Sequence, residues 1–192
     1  MILTQEQYLQ GVNRTWKKGE GLQELTHCLW AIDEEIGEIS GWMKKIYGYG
    51  RVKDEAWKIE VMGECGDLCY YVTKLAELTD NLDEIGALFN KEIEMKILKI
   101  NNFNLLCEIR THSQALLTTN PLCDEFAEAL CNLSEVLAIL CEHEGFEMQD
   151  ILLSNLAKLE KRHGNGFKDS AAVESGRDRS AETEALKNGT QN

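Results

Sequence analysis

The sequence predicts an all-α protein, and three observations carry that expectation. Apolar residues recur at steps of three and four along almost the whole chain, no alternating run marks a strand, and one proline interrupts 192 residues. With 43% hydrophobic residues, the chain can build one compact domain with its own core. We expect a single helical domain over residues 1–168 and a flexible tail over 169–192.

Each element can be read in turn. An amphipathic segment comes first, around 4–18. Over 23–47, Leu25, Leu29, Ile32, Ile36, Ile39, Met43 and Ile46 draw one continuous stripe, which is core. The run YGYGRVKD then breaks the pattern with two glycines, and 54–79 resumes it with Val61, Cys65, Leu68, Val72 and Leu75. Two long helices joined by a short loop follow from this. Further helices are expected at about 82–100, 103–118, 122–144 and 147–162. From Asp169 onward large apolar residues almost vanish, so nothing offsets the entropy of ordering.

Charge and cysteines narrow the function. A formal charge of −13 argues against a basic grip on nucleic acid or on an anionic membrane. No apolar run is long enough to span a bilayer, and MILTQEQYLQ lacks the basic-then-apolar form of a signal peptide, so a cytoplasmic protein is expected. The seven cysteines include no CxxC pair and fall in apolar helical patterns, which reads as reduced core thiols rather than disulfides or a zinc site.

The stretch DEEIGEI, residues 33–39, concentrates Glu34, Glu35 and Glu38 on barely one turn. A solvated helix face is the plain explanation, and the neighbours test it. Cys28, Ala31, Glu35, Glu38 and Trp42 form a stripe flanking the core stripe, and Trp57, Glu60, Glu64, Asp67, Tyr71, Lys74 and Leu78 do the same on the next helix. If the two helices pack antiparallel, as a short loop favours, Glu35 and Glu38 face Glu64 and Asp67. Converging carboxylates repel one another, and a hard divalent cation removes that cost. Mg²⁺, or Mn²⁺, suits an all-carboxylate set and completes its shell with water and phosphate oxygens. The expected ligand is a phosphate-bearing metabolite.

These segments resemble a known family. THCLWAIDEEIGEISGWMKK followed by EVMGECGDLCYYVTKLAE is similar to the MazG-like all-α nucleoside triphosphate pyrophosphohydrolases, whose signature is ExxE on one helix and ExxD on the next, here Glu35/Glu38 and Glu64/Asp67. NLAKLEKRHGNGFKDSAAVESGRD resembles the closing segment of small phage and bacterial members, with Asn155, Lys158, Arg162 and Phe167, and YLQGVNRTWKK resembles their first helix. The matches cover roughly 5–80 and 147–178. The resemblance implies a helical bundle of the MazG and dimeric dUTPase type, Mg²⁺ dependence, and hydrolysis of a nucleoside triphosphate to the monophosphate and pyrophosphate. A homodimer or higher homo-oligomer is expected.

Residues 82–146 depart from a single domain of that kind. They form either an inserted hairpin or a degenerate second repeat, in which Leu130 and Leu133 stand where Glu64 and Asp67 would align.

Roles follow from the chemistry and the resemblance together. Glu35, Glu38, Glu64 and Asp67 are the expected metal ligands, and Glu34 the group that orients or deprotonates the attacking water. Lys74, Lys158 and Arg162 are candidates for phosphate oxygens. Trp30, Trp42, Trp57 and Tyr71, with His27 and Asn155, are candidates for holding a base. Three rivals stay open. They are a phosphoribosyl-ATP pyrophosphohydrolase-like or dUTPase-like enzyme, an inactive helical adaptor, and a di-iron bundle using Glu24/His27 and Glu160/His163.

Overall fold

The computed structural model describes residues 2–89, 101–164, 166–167 and 180–184. Among the described residues up to 167, six α-helices follow one another: α1 (Gln5–Thr15), α2 (Gly21–Met43), α3 (Glu55–Leu78), α4 (Asn102–Thr118), α5 (Asp124–His143) and α6 (Met148–His163). No strand occurs among the described residues.

Local chemistry starts these helices where the sequence places polar caps. Thr4 and Gln7 form a reciprocal capping box at α1. Asp54 accepts the Trp57 amide at 2.8 Å to start α3, and Asn101 accepts the Asn104 amide at 3.0 Å to start α4. The end of α2 differs from expectation, because its last turn widens into a π-helix over Lys44–Gly48. That wider turn presents Tyr47 to Glu144, whose side chain is fully buried. The Tyr47 hydroxyl donates to it at 2.8 Å, Lys53 pairs with it at 2.5 Å, and Asn102 also donates to it. The loop after α2 is thereby tied to the end of α5.

α2 and α3 pack antiparallel. Glu38 meets Glu64, Glu35 meets Asp67, and further along His27 meets Tyr71, so low numbers on one helix pair with high numbers on the other. α4 and α5 form a second hairpin, with α4 against α2 and α5 against α3. α1 and α6 pack on each other and on α3. α3 is therefore covered from several directions, which is why its buried residues run around the helix instead of along one stripe. The expected α2 stripe is buried from Ile32 to Met43, and all five α3 core positions are buried. Leu130 and Leu133 are fully buried too, as core residues of the second hairpin.

Three expectations change. The helix foreseen over 82–100 is a 3₁₀ segment over Leu82–Leu88, and 90–100 lies outside the described residues. Cys28, Cys65, Cys69 and Cys141 are buried free thiols, whereas Cys107 is exposed and Cys123 and Cys131 only half-buried, because α4 and α5 also present outer faces. Within the segment expected to be a tail, residues 180–184 are helical and Glu182 is buried. The carboxylate of Glu182 meets the Arg162 guanidinium in a two-bond pair, which offsets the loss of its hydration. The other residues beyond 167 lie outside the described ones, as does position 165. No helix of the described residues is long and apolar enough to cross a membrane.

Candidate functional site

The acidic stripes of α2 and α3 meet at half-buried Glu35, Glu64 and Asp67. One carboxylate oxygen from each lies within 4.8 Å of the other two. At that spacing two full charges repel by about 3–4 kcal/mol with an effective dielectric near 20. Burial then pushes the Glu35 carboxyl up to about 9, with Asp67 and Glu64 as the next causes. Burial likewise lifts Glu64 to about 8, followed by the charges of Asp67 and Glu38. Without a cation, burial and the neighbouring charges favour the protonated form of both glutamates. Glu38 is exposed and shares a hydrogen bond with Glu64, so it stands on the solvent side of the three. Glu34 is exposed one residue round the helix and is not brought into the cluster.

α6 closes the site from the opposite side. Lys158 Nζ lies 2.5 Å from Asp67 Oδ2, and the Asn155 amide donates to Asp67 Oδ1 at 2.8 Å. Asn155 Oδ1 in turn accepts the Tyr8 hydroxyl at 3.0 Å. This approach depends on Gly66, because a Cβ there would stand 2.9 Å from the Asn155 Cβ. Asn155 is 1% exposed with both ends of its amide engaged. It is thus a group that positions Asp67, and it has no surface left for a base.

The other sequence candidates divide. Lys74 is buried, but its ammonium is held by Asn13 at 2.8 Å and Glu77 at 2.6 Å. Those two partners bond each other at 2.6 Å, so the lysine belongs to a closed trio. Arg162 continues the α6 stripe one turn past Lys158 and pairs with Glu182 at 2.8 and 3.1 Å. Trp30 is 70% exposed on α2, and Trp57 is a core residue whose ring lies tilted against Phe146. Trp42 is half-buried, with Lys45 over its ring. His27 and Tyr71 do come together, 5.7 Å apart, and both meet Trp16. The His27–Trp16 pair is stacked at 4.8 Å, while burial followed by the nearby Lys17 charge lowers the His27 pKa. Glu24 and His163, half of the di-iron alternative, lie away from the acids: Glu24 bonds the Trp16 indole at 3.0 Å, and His163 stacks on Phe167.

Sequence reasoning missed Tyr8, Trp16 and Glu182. Tyr8 and Val12 share the buried face of α1 and Trp16 is buried just past its end, and that four-residue spacing was the available signal for Tyr8 and Trp16. Glu182 gave none, because its partner is twenty residues away in a polar segment.

The donor set fits a hard divalent cation. Three half-buried carboxylates converge with one ammonium beside them, and in two of them the environment favours a proton that an ion would displace. Neither a family model nor a curated protein nor a solved structure matches this chain.

Proposed function

We propose that the chain is a Mg²⁺-dependent nucleoside triphosphate pyrophosphohydrolase, converting a nucleotide to its monophosphate and pyrophosphate. The observation that carries this reading is the convergence of Glu35, Glu64 and Asp67 from two antiparallel helices, with Lys158 on the third side. The ExxE and ExxD spacings resemble those of the MazG-like enzymes and supply the reaction class. Mn²⁺ is the expected substitute metal.

Glu35, Glu64 and Asp67 would hold the ion, with Glu38 at the solvent edge. When bound, the ion neutralises phosphate oxygens and lowers the pKa of a water. The chain's own residues then do the positioning on which phosphorus chemistry chiefly depends. Asn155 and Tyr8 fix the Asp67 carboxylate. Lys158 and Arg162, on one stripe of α6, offer an ammonium and a fork to the phosphate chain. Water oxygen bonds to the α-phosphorus, the bond to the bridging oxygen breaks, and pyrophosphate leaves. Glu38 is the acceptor we assign to the water's proton, since it is solvent-facing and bonded to Glu64. Glu34 is left without a role. His27 and Tyr71, backed by the buried Trp16 ring, form the aromatic wall we assign to the base.

The test is pyrophosphate release with Mg²⁺ across dNTPs including dUTP, NTPs and phosphoribosyl-ATP, beside an Asp67→Asn protein. Release from one or a few nucleotides, lost in the variant, supports the reading. A silent panel, with Mg²⁺ still raising the melting temperature, supports an inactive adaptor instead.

A further inference from the structure

The Arg162 side chain is placed as an anion ligand, and it already holds an anion. Its Nε and Nη2 donate to the two carboxylate oxygens of Glu182 at 3.1 and 2.8 Å, and both side chains are largely buried. A side-on fork of this kind is equally suited to two phosphate oxygens. Arg162 lies seven residues beyond Asn155 and four beyond Lys158, on the α6 stripe whose first two members both bond Asp67. Its positive charge is felt at Asp67 and at Tyr71. A carboxylate is thus seated on a cation beside the acid cluster, in a site otherwise built to gather negative phosphate.

We propose that Glu182 is an intramolecular competitor of the phosphate chain at Arg162, so that only an anion carrying enough charge, such as a triphosphate, displaces it. This rests on the assignment of the site to phosphate made above. Glu182 sets the selectivity for polyphosphates over monophosphates, and its return to Arg162 helps discharge pyrophosphate. A ligand whose partner group is free only a tenth of the time binds about tenfold more weakly than its intrinsic affinity allows. Removing the competitor restores that factor.

Calorimetric titration of inorganic tripolyphosphate with Mg²⁺ into the full-length protein and its Glu182→Gln variant tests this without any turnover. The variant is expected to bind about tenfold more tightly, and Arg162→Gln is expected to make the Glu182 substitution silent. Equal or weaker binding by Glu182→Gln, or no binding by either protein, overturns the proposal. Equal binding would leave Glu182 a structural partner, and weaker binding would make it a group that holds the guanidinium in its productive pose. If Glu182→Gln does not fold, cleavage of the unmodified protein after Glu182 by a glutamate-specific protease replaces it. Tripolyphosphate is then expected to speed the cut, and an unchanged rate counts against the competitor. A protein that behaves as expected here but hydrolyses no nucleotide would keep this proposal and lose the enzyme reading.

Discussion

Lys158 and Asp67 form an ion pair of 2.5 Å between α6 and α3, on the edge of a cluster in which one ammonium faces three carboxylates. The imbalance is what makes the site reactive toward a cation. Burial first, and then repulsion of about 3–4 kcal/mol per charged pair, favours the protonated form of Glu35 and Glu64.

Replacing Glu35 by Gln should therefore separate stability from activity. The variant removes a carboxyl whose pKa is raised by burial and by Asp67 and Glu64. In metal-free protein at pH 7.5 it should melt higher, by roughly 5 °C for a gain of about 2 kcal/mol. Pyrophosphate release should fall about a hundred- to a thousandfold, the loss typical when one preorganised group that serves transition-state charge is removed. Calorimetric melting and a release assay on the same preparation check both halves.

The pH dependence of metal-free stability has a definite sign. Glu35 and Glu64 bind protons more tightly folded than unfolded, rising from 4.5 to about 9 and about 8. Their contribution is complete below pH 4.5 and is lost as pH climbs toward 8 and 9, because the unfolded state has already released the protons. Mg²⁺ should reverse the trend, raising the melting temperature more at pH 8.5 than at pH 5.5. Thermal melts at both values with and without Mg²⁺ measure the difference.

Gly66→Ala should damage the site without adding charge. The new Cβ would stand 2.9 Å from the Asn155 Cβ, forcing α6 away from Asp67. Overpacking of this kind costs about 1–3 kcal/mol, and metal affinity should fall with it. Tyr8→Phe leaves the helices in place but strips a buried partner from Asn155 Oδ1, at a cost of about 1–3 kcal/mol. Chemical denaturation and Mn²⁺ binding read the two variants together.

The aromatic candidates should split sharply. Trp30→Ala, at a residue 70% exposed, should change stability by less than about 0.5 kcal/mol and leave turnover intact. His27→Ala removes the exposed ring that stacks on Trp16 and meets Tyr71, and KM for the nucleotide should rise roughly tenfold. Steady-state kinetics of the pair tests where the base lies.

How far the sequence could be read depends on whether a feature is local. The α2 and α3 stripes follow from helical spacing, and the short loop between them leads directly to their antiparallel pairing, so Glu35, Glu64 and Asp67 were legible as a group. Which neighbouring acids turn outward was not. Glu34 and Glu38 sit within one turn of Glu35, and only the direction from which α3 and α6 approach decides their exposure. The Tyr8–Asn155 and Arg162–Glu182 contacts join segments whose meeting no periodicity encodes. Lys74 misled for a related reason: its stripe is correct, yet Asn13 from α1 and Glu77 from the next turn claim its charge first.

The most direct test of the central claim is Mg²⁺-dependent pyrophosphate release from a panel of nucleoside triphosphates by the unmodified protein and by Asp67→Asn. Release is expected from at least one nucleotide, in equal amount to the monophosphate formed, and none from the variant. Equal release by both proteins, or none by either while Mg²⁺ binds, would contradict it.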